Sequence, residues 1–127
     1  MSAFNQDIFA LAQGNTCFRR EILTQEHTQI VLMSVEPGDD VGAEVHSVDQ
    51  ILVFVSGTGD AMLNGERSAV RAHALVAVPA GTRHNFINTG QTPLKLFTVY
   101  SPPEEEPGTL HRRKADAVAA EAEKGTP

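Results

Sequence analysis

The strongest constraint on this chain is a succession of short, strand-like runs, most of them ended by Gly, Pro or Asn. They cover 17–24, 28–35, 50–55, 60–63, 66–70, 75–78, 83–88 and 94–100. Ile30-Val31-Leu32-Met33-Ser34-Val35 is β-branched and apolar, as a buried strand requires. Pro37-Gly38-Asp39-Asp40 and 89–93 carry turn residues. Asn64-Gly65 joins two such runs, and both residues tolerate positive φ, so it marks a two-residue hairpin. Many short strands with turns of this kind predict an all-β sandwich or barrel. Before them, 7–12 reads as a short helical turn broken at Gly14-Asn15.

Within this pattern, the stretch from Gly38 to Gly57 concentrates the chemistry. Glu44, His46 and Gln50 stand at steps of two and four residues. In an extended strand such steps put side chains on one face. A carboxylate, an imidazole and an amide on one face begin a metal site that needs another nitrogen from elsewhere. His84 supplies it, in the segment Pro79-Ala80-Gly81-Thr82-Arg83-His84-Asn85-Phe86-Ile87-Asn88.

Together these two stretches resemble the cupin family. Its first motif reads G-x5-H-x-H-x3or4-E-x6-G, and Gly38, His46 and Gly57 fall on it in register. Glu44 takes the first histidine position and Gln50 the glutamate position. The second motif, G-x5-P-x-G-x2-H-x3-N, is met by Pro79, Gly81, His84 and Asn88, with His73 where a glycine is expected. The tail, from Tyr100-Ser101-Pro102-Pro103 to His111-Arg112-Arg113-Lys114, resembles small bacterial cupins of the mannose-6-phosphate-isomerase-like kind. The resemblance implies a single jelly-roll β-barrel with core residues 30–101. Residues 1–29 would then be N-terminal strands and an arm for dimerisation, and 102–127 a C-terminal tail that is a short helix or frayed.

The implied metal ligands are Glu44, His46, Gln50 and His84. Two imidazoles and a carboxylate suit divalent zinc, iron, manganese or nickel. Gln50 is a neutral donor that either ligates directly or only hydrogen-bonds a metal-bound water. Glu44 and His111 are the candidates for moving a proton, His111 if the tail folds over the barrel mouth; the alternative for His111 is a surface position. By strand parity Phe54 and Phe86 face inward, and with Tyr100 they are the candidates for a substrate cavity. One of Arg19 and Arg20 must also face inward. Asn88 reads as structural, His27 as exposed in a hairpin link, and His73 as a turn residue of positive φ.

Three functions from different classes follow. The first is an isomerase- or lyase-type enzyme acting on a small polar, sugar-like molecule, with the metal polarising a carbonyl or hydroxyl. The second is a non-haem iron dioxygenase, and the third a metal- or small-ligand-binding protein without catalysis.

Composition narrows the partners. A net charge of −6 argues against nucleic acid. No apolar run is long enough to span a bilayer. Cys17 is the single cysteine, and the N-terminus has no basic region before an apolar one, so the cytoplasm is expected. The basic cluster 111–114 follows three glutamates and reads as solvated. A small-molecule ligand and a second copy of the chain, as a homodimer, are the expected partners.

Overall fold

Alternation of side chains dictates the architecture. In the computed structural model, which describes residues 3–124, a short helix α1 (Ile8–Gly14) precedes nine strands. These are β1 (Arg19–Thr24), β2 (Gln29–Val35), β3 (Asp49–Ser56), β4 (Thr58–Leu63), β5 (Glu66–Arg71), β6 (Leu75–Val78), β7 (His84–Asn88), β8 (Leu94–Ser101) and β9 (Leu110–His111). Helix α2 (Lys114–Lys124) follows. A six-stranded sheet runs β6-β3-β8-β2-β1-β9, and a three-stranded sheet runs β5-β4-β7. Two antiparallel sheets and a C-terminal helix make up the jelly-roll that the resemblance implies. The expected hairpin is the β4–β5 turn, where Asn64 and Gly65 have φ of 49° and 85°.

The inward-facing residues form one core between the sheets. Leu52 and Phe54 come from β3, Val31, Met33 and Val35 from β2, Leu94 and Leu96 from β8, and Phe86 from β7. Phe54 and Phe86 are fully buried with ring centroids 5.7 Å apart. Each such side chain contributes about 1.5–3 kcal/mol by leaving water. Gly57 ends β3 with φ of 91°, and a Cβ there would lie 2.7 Å from the Pro93 carbonyl oxygen. Both the left-handed backbone and the close approach require glycine.

The same alternation grades the interior from apolar to polar along the strands. On β3 the inward set is Gln50, Leu52 and Phe54, and on β7 it is His84, Phe86 and Asn88. Antiparallel register sets Gln50 opposite Tyr100 of β8. Gln50, His84 and Tyr100 thus gather at one end of the barrel. Asn88 anchors the other end: its amide nitrogen donates to the carbonyls of Val35 and Thr92, and its oxygen accepts from Gly90 N.

Helix α1 is started by Asp7, whose carboxylate accepts from Ala10 N at 3.0 Å. It lies on the outer face of the larger sheet, with Ala12 buried and Phe9 edge-on to Phe97. His73 has φ of 78° and stacks on Phe9. His27 is exposed in the β1–β2 link.

Two expectations are corrected. Glu44 and His46 do not lie in a regular strand. The chain from Asp39 to Glu44 follows β7 through single bridges, Asp40 to Ile87 and Glu44 to His84. Gly42, with φ of 103°, interrupts any continuous ladder. Nor is the basic cluster uniformly solvated. Arg112 and Arg113 are exposed, but Lys114 Nζ donates to Asp39 Oδ1 at 3.0 Å and to Asp40 Oδ1. That clasp fixes the start of α2 to the Gly38 turn.

Candidate metal centre

The site is assembled by backbone pairing. Glu44 N donates to His84 O, and His84 N donates to Glu44 O, each at 2.9 Å. Residues so paired in antiparallel strands project their side chains to the same side. Gly81 N donates to His46 O at 2.8 Å, tying the second glycine-bearing turn to the second ligand. One ligand atom each from Glu44, His46 and His84 falls within 4.8 Å of the others. His46 Nε2 lies 3.6 Å from Glu44 Oε2, and the two imidazole centroids are 5.2 Å apart.

The donor atoms fit a metal because their other bonds are already made. His84 Nδ1 lies 2.9 Å from the Thr82 carbonyl oxygen, which can only accept, so the proton sits on Nδ1. The lone pair is left on Nε2, which is buried and unbonded. His46 Nδ1 stands 3.4 Å from Glu104 Oε2, an ion-pair contact, and its Nε2 is buried with no hydrogen-bond partner. Gln50 Nε2 donates to Thr98 Oγ1 at 3.0 Å, while its buried Oε1 has no partner. Three orphaned acceptor atoms at one end of a barrel are costly unless something electropositive meets them. A divalent ion held by Glu44, His46 and His84, with Gln50 as a further oxygen donor, meets that need.

Electrostatics agree with this assignment. Burial pushes the Glu44 carboxyl above its usual range, against the pull of Arg19 and His46. Burial also lowers the His84 pKa, which keeps the imidazole neutral and able to ligate. Burial raises the Tyr100 hydroxyl far above its usual range, so Tyr100 stays neutral.

The remaining sequence candidates are distributed as follows. Phe54, Phe86 and Tyr100 are buried in the core. Tyr100 stands edge-on to His46 at 5.6 Å, and Phe86 lies 6.0 Å from His84. These rings back the histidines. The open cavity of about 670 Å³ beside the site has other walls, among them Arg19, Glu44, His46, Glu104, Glu105 and Glu121. Of the two arginines, Arg19 is the inward one and Arg20 is exposed. His111 stands opposite Arg19 in the β1–β9 pairing, one residue removed from Glu44 through the Arg19–Glu44 contact at 3.9 Å.

Glu104 and Glu105 were missed by sequence reasoning. They reach the site because Gln29, fully buried in β2, holds their backbone. Its Oε1 accepts from Glu104 N at 3.1 Å and Glu105 N at 2.8 Å, and its Nε2 donates to Glu105 O at 2.7 Å. The available signal was Gln29 itself, a polar residue at an inward position of an apolar strand.

Comparisons with known proteins agree with this geometry. The family model described as a cupin domain matches residues 31–100. The chain is 48% identical over 120 residues to the uncharacterized protein YrkC of Bacillus subtilis (strain 168), covering 88% of this chain and 63% of that protein. It therefore spans a little under two thirds of that relative's length. Among solved structures, BH2720 from Bacillus halodurans superposes with a TM-score of 0.91 at 37% identity, over 93% of this chain and 95% of that one. A predicted oxalate decarboxylase from Thermotoga maritima superposes with a TM-score of 0.58 at 25% identity, over 61% of this chain and 69% of that one.

Proposed function

This chain belongs to the cupin-domain family, and we propose that it is a divalent-metal enzyme of isomerase or lyase type acting on a small, hydroxyl-bearing, sugar-like molecule. One observation carries the reading: three buried acceptor atoms, on His46, His84 and Gln50, lack partners beside the carboxylate of Glu44. Zinc, iron, manganese or nickel suits this donor set. When bound, such an ion supplies a Lewis acid that polarises a carbonyl or hydroxyl oxygen.

The chain's own residues supply the rest. Glu44 Oε2 lies toward His46 and Oε1 toward Arg19, so one carboxylate has a ligating oxygen and a second oxygen able to take a proton. Arg19, held between Glu44 and Glu105, restrains that carboxylate. His111 is the second candidate for proton transfer, through its place beside Arg19. Tyr100, Phe86 and Phe54 close the floor against water.

An iron-dependent dioxygenase is the second reading, favoured by the count of two imidazoles and one carboxylate. A site that only holds a metal or small ligand is the third. The deciding experiment is metal analysis of the purified protein, followed by a sugar and sugar-acid panel with and without oxygen. Anaerobic turnover with zinc, manganese or nickel supports the proton-transfer reading. Iron with oxygen consumed one-for-one with substrate supports the oxygenase. Stoichiometric metal with no turnover supports a binding role.

We further propose a cytoplasmic homodimer. Because β9 already pairs with β1 at Arg19 and Arg20, the dimer contact would use another edge or face than the N-terminal strand β1. No helix among the described residues is long and apolar enough to cross a membrane.

A further inference from the structure

We infer that the cavity beside this centre selects ligands bearing hydroxyl or ammonium donors and rejects anions such as sugar phosphates, because the C-terminal tail lines it with carboxylates. The inference rests on the functional reading above for its centre, and it concerns the charge class of the ligand.

Four carboxylates reach the cavity wall: Glu44, Glu104, Glu105 and Glu121. Two cations share it, Arg19 and Lys114, and both are already engaged. Arg19 lies between Glu105 at 3.3 Å and Glu44 at 3.9 Å. Lys114 is held by Asp39 and Asp40. Each cation already faces two carboxylates, which offset its charge, although Arg19 Nε makes no hydrogen bond. With Asp39 and Asp40 neutralising Lys114, the surroundings stay net negative even with a divalent ion in the centre.

The arrangement is built. Gln29 fixes the backbone of Glu104 and Glu105 through three hydrogen bonds, and the Lys114 clasp sets α2 so that Glu121 faces the cavity. A second observation points to a ligand at this place. His46, 8% exposed, lines this cavity and presents a buried Nε2 with no hydrogen-bond partner.

Carboxylates accept hydrogen bonds and cannot donate them. The phosphate or carboxylate group of an anionic ligand offers acceptors only and meets like charge. Like charges a few ångströms apart repel, and more strongly in a partly buried site than in bulk water. Hydroxyl and ammonium groups instead donate to Glu104 and Glu121, and an ammonium adds charge assistance.

The test uses three probes of one skeleton: glucose, glucosamine at a pH where its amine is protonated, and glucose 6-phosphate. Each is titrated into the full chain, metal-free and zinc-loaded, while the amide resonances of Val45 and Val118 at the cavity wall are followed. The expected result is perturbation by glucosamine, or by glucosamine and glucose together, with glucose 6-phosphate at least tenfold weaker. Glucosamine alone identifies ammonium recognition; both together identify hydroxyl recognition. Glu121→Gln, which touches neither histidine, narrows the discrimination against phosphate at least twofold. Phosphate binding as tight as the other two, or no perturbation by any probe in either form, overturns the inference. Zinc content is read on the same samples, so failure to load zinc refutes the metal centre separately while the metal-free titration still decides the charge class.

Discussion

Glu44 and His84 lie 40 residues apart in the chain and exchange both of their backbone hydrogen bonds, each at 2.9 Å. This single antiparallel pairing brings the carboxylate of one motif beside the imidazole of the other. Metal binding and the pairing of Glu44 with β7 are therefore properties of one local geometry.

Gln50 gives a graded test of the ligand set. Its Oε1 is buried and unbonded while its Nε2 is held by Thr98. Gln50→Ala is expected to weaken metal affinity by about 10-fold, the lower end of what outer-shell partners cost. Gln50→Glu adds charge at the same place and is expected to strengthen it. Competition with a fluorescent chelator measures both, and a loss of affinity in Gln50→Glu would remove Gln50 from the ligands.

Glu44 is expected to trade stability for binding. Burial raises its pKa in the fold above the unfolded value. Folding stability from this group therefore declines as pH rises from the unfolded value of about 4.3 through the folded one. At neutral pH the ionised carboxylate opposes folding until a metal meets it. Glu44→Gln should raise the melting temperature of the metal-free protein and lower metal affinity by at least tenfold. Calorimetry with and without zinc checks both directions, and a lower melting temperature for the metal-free variant would contradict the account.

Sequence and structure agree most where the argument needed only strand parity. The inward positions of Gln50, Phe54, His84 and Phe86 follow from alternation, and the Asn64-Gly65 hairpin follows from backbone freedom at two residues. The same local chemistry foretold the positive φ of His73. Glu104 and Glu105 were not legible, because their placement depends on Gln29, about 75 residues earlier in the chain. Helix α2 was expected as a short helix or frayed tail, but how it docks was not legible. Its apolar anchor is the small Ala117, and its first turn is fixed by Lys114 on Asp39 and Asp40. A docking made of one alanine and one ion cluster leaves almost no hydrophobic pattern to read.

The Lys114 clasp predicts the pH range over which α2 stays docked. Hydrogen bonding to Lys114, then to Asn85, holds the Asp40 carboxyl below its usual range. Its contribution is present above the unfolded value of about 3.9 and is lost as pH falls through the lower folded value. Burial disfavours the Lys114 charge, but its bonds to Asp40 and Asp39 outweigh this and raise its pKa. That contribution is present below about 10.4 and lost as pH rises through the folded value. The groups are partly exposed, so the clasp contributes about 1 kcal/mol or less. The protection factor of the Ala117 amide should fall in acid below about pH 4 and in Lys114→Met at neutral pH. Unchanged protection in the variant would mean that the clasp does not hold the helix.

Asn88 should matter for stability and leave the centre intact. It satisfies two carbonyls and one amide at the end of the barrel away from His84. Asn88→Ala leaves buried groups unpaired at about 1–3 kcal/mol. Denaturant melts should register that loss, while the metal stoichiometry of the folded variant stays that of the wild type.

The most direct measurement is the cobalt stoichiometry of the metal-free protein, followed through its visible absorption, in the wild type and in His46→Ala, His84→Ala and His27→Ala. The account predicts one equivalent per chain for the wild type and for His27→Ala, whose ring is exposed in the β1–β2 link. It predicts no stoichiometric binding in folded His46→Ala or His84→Ala. Full occupancy in both of those variants would contradict the metal centre.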